Sequence, residues 1–266
     1  MLENGLWGSY PDWLYVIEGL SQTTKVCAYD RLGLGWSSNN DKPTRAKDVV
    51  RNLHDLRRAA GLDGPMVLVG FSAGGLYVRE YYKEFPEEVQ GMLLIDSSHE
   101  QQARRIEHIS KDLSLEKFCS AVAWTGVGRI FGLFDGYPEK SFTQEQHEEQ
   151  LRAYNRTGFC SGLVKQSQGF EQDLFSNATP ANLGDLPLTV IRAGKPIREQ
   201  ILIDSVPDSF LDEHESVWPQ LQEELASLST QSNLIVAVGS GHAVQLEQPE
   251  LVIEALKSLI QKVRSI

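Results

Sequence analysis

Short runs of apolar, often β-branched residues alternate along the chain with longer stretches in which apolar side chains return every three or four positions. The runs are Lys25 to Asp30 (KVCAYD), Met66 to Gly70 (MVLVG), Val89 to Asp96 (VQGMLLID), Leu186 to Gly194 (LPLTVIRAG) and Asn233 to Gly239 (NLIVAVG). Near-continuous hydrophobicity over so few residues predicts strands buried on both faces. With helical stretches between them, this is the pattern of a mostly parallel sheet flanked by helices. From Thr44 to Ala60, Val49, Val50, Leu53 and Leu56 share one helical face, and Gly61 supplies a stop. Ala73 to Phe85 and Pro249 to Val263 read in the same way.

The rhythm breaks once. From His99 to Gly184 no run reads as a strand, and an aromatic patch, FCSAVAWTGVGRIFGLF, precedes an acidic, glutamine-rich one, TQEQHEEQ. Ligand sites of open α/β sheets lie at the carboxyl ends of the strands. An insertion at this point therefore predicts a helical cap, with 1–98 and 185–266 forming the core and 99–184 the cap. A membrane-surface helix is the other reading of the aromatic patch, but its glycines and few basic residues fit a packed cap better.

Composition narrows the partners. The 266 residues suit one large domain with an insertion, and 25 Lys and Arg against 36 Asp and Glu leave a net charge of −11. Such a chain has no general attraction to nucleic acid or anionic membranes, so a small, neutral or apolar molecule is the expected partner. No apolar run approaches the roughly 18 residues needed to span a bilayer, and no signal peptide is visible. Cys27, Cys119 and Cys160 lack metal-binding spacing and read as free thiols of a cytoplasmic protein, although Cys119 and Cys160 could bridge in an oxidising compartment.

The candidate chemistry centres on Gly70-Phe71-Ser72-Ala73-Gly74, where a predicted strand turns directly into a predicted helix. Such a turn holds its serine in a strained conformation and tolerates only small residues two positions to either side. The new helix also aims free N–H groups at the site, where negative charge can develop. A phosphate loop is disfavoured, because no Gly-Lys-Ser/Thr follows; a passive serine in a glycine-rich turn is the plain alternative.

With this turn, the segments ENGLWGSYPDW, YDRLGLGWS and GSGHAVQLEQPELV give four motifs in one order, and on them the chain resembles the α/β-hydrolase superfamily, in its capped esterase and lipase-like branch. The resemblance implies Ser72 as nucleophile and His242 as base, with His99 as second choice. It implies an oxyanion hole from the backbone N–H groups of Ala73 and Leu6, or Trp7 in place of Leu6. It implies no metal or organic cofactor. The expected reaction is cleavage of a carboxylic ester, with an amide or thioester as lesser options. The rival is a catalytically weak, hydrolase-like binding protein. Dehalogenases and epoxide hydrolases of the superfamily carry aspartate where this chain has Ser72.

Three features depart from or qualify the family pattern. The usual site of the acid reads RAGKPIREQ, with Lys195, Pro196 and Ile197 where an aspartate is expected and Glu199 as the nearest carboxylate. Asp96, at the end of GMLLID, matches the family's alternative position and is the first choice; Asp204, Asp208, Glu199 or no acid at all remain open. Two strands normally precede the ENG segment, so the first two strands are expected to be absent, leaving the apolar KVCAYD edge open to self-association. Asp30 and Arg31 are expected to form a structural ion pair or a loop anchor.

Overall fold

A computed structural model describes residues 1–39, 41–106, 143–154, 156, 158–176, 179–200 and 207–266. Its sheet is wholly parallel, with five strands in chain order: β1 (Leu2–Glu3), β2 (Met66–Phe71), β3 (Val89–Ile95), β4 (Leu188–Ala193) and β5 (Ser232–Ala237). Parallel neighbours need a crossover, and helices supply them. These are α1 (Leu14–Leu20), α2 (Ala46–Ala59), α3 (Ala73–Glu84), α4 (Gln102–Arg105), α5 (Gln144–Tyr154), α6 (Phe159–Leu174), α7 (Asp208–Ala226), α8 (Val244–Glu247) and α9 (Pro249–Arg264).

The lack of polar alternation in β2 and β3 follows from burial on both faces. Val69, Phe71, Leu93 and Ile95 pack with Val16 and Leu20 of α1 and Val252 and Leu256 of α9. Leu68, Met92 and Leu94 point the other way, to Val50 and Leu53 of α2 and Val78 and Tyr81 of α3. Successive strand residues face opposite sides, so each side receives every second apolar residue. Full burial of such a side chain contributes about 1.5–3 kcal/mol.

One predicted strand is different. KVCAYD makes a single parallel bridge, Ala28 to Leu2, with the Leu2 N–H donating to Cys27 O at 2.8 Å. The short β1 lies between this segment and β2, so KVCAYD keeps a neighbour on one side. Val26 and Ala28 still pack on the core, which explains their apolar character without a ladder. A cavity of 390 Å³ bounded by Met1, Val26, Pro65 and Leu256 lies against this edge. Between β3 and β4 the described residues hold α4, α5 and α6 and no strand, as an inserted helical cap requires. The aromatic patch and Cys119 lie outside the described residues. Cys27 is a free thiol, whereas Cys160 is disulfide-bonded and departs from the expectation of free thiols.

Candidate active site

Ser72 stands between β2 and α3 with φ 52° and ψ −121°, a conformation rare outside glycine. Its neighbours must be small for measurable reasons. A Cβ on Gly70 would lie 2.6 Å from the Gly74 carbonyl, and one on Gly74 would lie 2.5 Å from the carbonyl of Glu3. The backbone pins the turn from both sides, since Ser72 N–H donates to Ile95 O at 3.0 Å and Ser98 N–H donates to Ser72 O at 2.9 Å.

Asp96 follows β3 directly and is also held at positive φ, 38°. Its Oδ2 lies 2.5 Å from His242 Nδ1. Its Oδ1 accepts from the Ala193 N–H at 2.9 Å and from Trp218 Nε1 at 3.0 Å. An ionised carboxylate only accepts, so this pairing places the imidazole proton on Nδ1 and leaves Nε2 as the free acceptor. The His242 side chain is 45 % exposed while that of Asp96 is 4 % exposed, so the imidazole is reachable and the carboxylate is not. The His242 N–H is held by Gln200 Oε1 at 2.8 Å, and its ring rests on Phe71 with centroids 4.8 Å apart.

The loop after β3 is braced from beneath. Arg79, fully buried in α3, pairs with Glu100 at 2.9 Å and donates to Ser97 Oγ and Ser98 O. Burial opposes ionisation of Glu100, but the charge and hydrogen bonds of Arg79, with a backbone hydrogen bond and His99, together hold the carboxyl below its usual range.

Other candidates sit elsewhere. Glu199 and Asp208 are exposed and make no hydrogen bond to His242, and Asp204 lies outside the described residues. His99 is buried 3.7 Å from Glu224. Asp30 does not pair with Arg31. It anchors its loop by accepting from Ser9 Oγ, Tyr10 N–H and Trp36 N–H, while Arg31 pairs with Glu3.

Two residues that no motif marks complete the acid side. Trp218, on α7, donates to Asp96 and meets the His242 ring edge-on at 6.4 Å. His214 stacks on Trp218 at 5.0 Å, and burial lowers its pKa to about 4 against the attraction of Asp96. Nothing in the sequence signals either, because only the packing of α7 brings them to the end of β3.

Leu6, Ser72, Ala73, Asp96 and His242 line one cavity of 640 Å³. The loop bearing Leu6 runs against the serine turn, since a Cβ on Gly5 would come within 3.3 Å of Ser72 Cβ. No acceptor for the Leu6 N–H is found among the described residues, which leaves it free for a ligand. Leu6, Phe170, Phe210 and Trp218 make part of the wall apolar, and Arg192 and Lys195 place positive charge at it. Among the described residues no three or more His, Cys, Asp or Glu side chains group to hold a metal. No helix among them is long and apolar enough to cross a membrane.

A sequence model described as the alpha/beta hydrolase family matches residues 2–255. An AB hydrolase superfamily protein of Gibberella zeae is 25% identical over 95% of this chain and 83% of its own length. Two other curated relatives are longer, and the chain spans 42% and 37% of them. Among solved structures, a thermophilic esterase from Thermogutta terrifontis shares the fold at 21% identity, TM-score 0.63, over 98% of this chain and 89% of that one. A laboratory-evolved potato epoxide hydrolase does so at 14% identity, TM-score 0.75, over 98% and 91%.

Proposed function

Because the chain belongs to the alpha/beta hydrolase family, we propose that it is a serine hydrolase that cleaves a carboxylic ester through an acyl-enzyme on Ser72. Ser72 Oγ attacks the carbonyl carbon while His242 Nε2 takes its proton. The resulting oxyanion accepts hydrogen bonds from the N–H groups of Leu6 and Ala73. Collapse of the tetrahedral species breaks the ester C–O bond, and His242 returns the proton to the leaving alcohol. Water, deprotonated by the same imidazole, then releases the acid. Asp96 orients His242 and stabilises its protonated form.

The observation that carries this reading is the 2.5 Å contact between Asp96 and His242 beside a strained serine in one cavity. It also weighs against the binding-protein rival, which a missing acid would favour. Serine at the turn separates the chain from epoxide hydrolases, whose fold it shares. The apolar wall favours a small-molecule ester with an apolar acyl group, ahead of amides and thioesters. Residues 99–184 serve as the cap of this reading, and 1–98 with 185–266 as its core.

A fluorophosphonate probe and a series of p-nitrophenyl esters test it. Wild-type protein is expected to label and to hydrolyse; Ser72→Ala is expected to do neither. Folded wild-type protein that fails on both counts returns the binding reading. Self-association through the edge beside KVCAYD is a separate proposal, checked by the concentration dependence of the mass in solution. The disulfide at Cys160 supports an oxidising compartment in place of the cytoplasmic one expected from the sequence.

A further inference from the structure

The geometry points to Arg31 as the positioning residue of the oxyanion loop, and to helix α6 of the cap as part of the same assembly through Gln166. Arg31 is nearly fully buried, and each of the five N–H donors of a guanidinium finds an acceptor. Nη1 donates to Glu3 Oε1 at 2.5 Å and to Asn4 O at 2.7 Å. Nη2 donates to Gly5 O and, at 2.8 Å, to Leu6 O. Nε donates to Gln166 Oε1 at 2.8 Å.

Three consecutive carbonyls of one loop are thus turned to one cation. In a planar trans peptide the C=O of one residue and the N–H of the next point in opposite directions. Drawing the Gly5 carbonyl toward Arg31 therefore turns the Leu6 N–H away from it, on the side where Leu6 shares the cavity with Ser72 and Ala73. Drawing in the Leu6 carbonyl does the same for Trp7, so the clamp sets whichever of the two amides meets the oxyanion. A lysine offers three N–H donors on one nitrogen in place of five on a planar fork, so it could not keep Glu3, Gln166 and the three carbonyls together.

The cap enters through both of its long described helices. Gln166 of α6 is fully buried and also donates to Leu32 O at 3.3 Å. From α5, Gln150 and Tyr154 donate to buried Asp12 at 3.0 and 2.8 Å, and Asp12 in turn accepts from Asn4 Nδ2 at 2.9 Å. Both ties end on the loop that carries Gly5 and Leu6. A cap that leaves the core takes one acceptor from Arg31 and two donors from Asp12, so docking of the cap and alignment of the oxyanion donors are one event.

This inference rests on the Ser72 hydrolase reading, so active sites are first counted by fluorophosphonate labelling. Wild-type protein that does not label overturns that reading and this one with it. Given labelling, Arg31→Lys is expected to lower kcat per labelled site by about 100-fold, with KM within about threefold of wild type. A boronic acid that mimics the tetrahedral anion is expected to lose affinity in step. Gln166→Leu removes one acceptor of the guanidinium and is expected to lower kcat per labelled site about tenfold. A purely structural role would reduce the labelled fraction or the melting temperature while leaving kcat per labelled site and boronate affinity unchanged. That result in Arg31→Lys overturns the positioning role, and in Gln166→Leu it overturns the link to the cap. Should Arg31→Lys fail to fold, Gln166→Leu decides by the same readouts.

Discussion

The turn that carries Ser72 is shaped by main-chain contacts, within the turn and to Glu3, Ile95 and Ser98, whereas the turn that carries Asp96 is completed by groups 97, 122 and 146 residues away, two of them side chains. In the first, Gly70 meets the backbone of Gly74 and Gly75, and Gly74 meets that of Glu3 and Asn4, around a serine held at positive φ. In the second, Ala193, Trp218 and His242 come from β4, α7 and the loop after β5. The difference separates two kinds of fragility. Damage to the serine turn falls on folding, because backbone has nowhere to move. Damage around Asp96 is expected to fall on activity, because its partners Trp218 and His242 are side chains held by a scaffold that stands without them.

Four substitutions and one control test that division. The largest effect is expected from Asp96→Asn, which can keep the bonds to Ala193 and Trp218 yet can no longer hold His242 in the reactive tautomer. Steady-state assays on esters should find kcat lower by about 10⁴-fold, or about 5.5 kcal/mol, with an unchanged melting temperature. Near-wild-type turnover would move the acid to another carboxylate. Next comes Gly74→Ala, whose new Cβ meets the carbonyls of Glu3 and Asn4 at 2.5 and 2.6 Å. Urea titration should report a stability loss of about 1–3 kcal/mol. Gly64→Ala is the control, since no atom lies within 4 Å of its Cβ, and it should be close to neutral. If both glycines behave alike, the steric account of the turn fails.

Trp218→Phe is expected to act between these extremes. It deletes one hydrogen bond to a charged acceptor and keeps most of the apolar surface, so kcat should fall about 10- to 30-fold, or about 1.5–2 kcal/mol. Stability should change little.

The smallest effect concerns His214, whose folded pKa of about 4 lies below the ordinary histidine value of 6.5 because burial disfavours the charged ring. Between these values the unfolded chain binds the proton and the folded chain does not, so stability falls as pH drops through that window. His214→Phe removes this term. The stability gap between wild type and variant should therefore shift by on the order of 1 kcal/mol between pH 6.5 and 5, after discounting for partial exposure. Chemical denaturation at the two pH values measures it, and a gap that does not move would mean that folded His214 takes up the proton as readily as the unfolded chain does.

Much of this was legible in the residues. The runs ending at Gly70, Asp96, Gly194 and Gly239 are strands or end beside them, because burial on both faces leaves a mark that needs no partner to be read. KVCAYD misled for the same reason. Its apolar residues pack on the core, yet its backbone makes only one bridge, and hydrophobicity reports burial and not ladder pairing. Arg31 was expected at a loop anchor, but its true partners, Glu3 and the carbonyls of Asn4, Gly5 and Leu6, carry no sequence signal because a carbonyl belongs to every residue.

The sequence by itself determined what depends on neighbours along the chain: a parallel sheet clad in helices, an insertion between β3 and β4, and a serine at a turn only glycines permit. Tertiary structure alone decided which carboxylate stands behind His242, which tryptophan supports it, and which guanidinium gathers the loop opposite. Those choices join groups 122 and 146 residues apart at Asp96, and 25 to 28 apart at Arg31, through side-chain contacts. Such a contact needs only the right distance and direction in the folded chain, and neither is written in residue order.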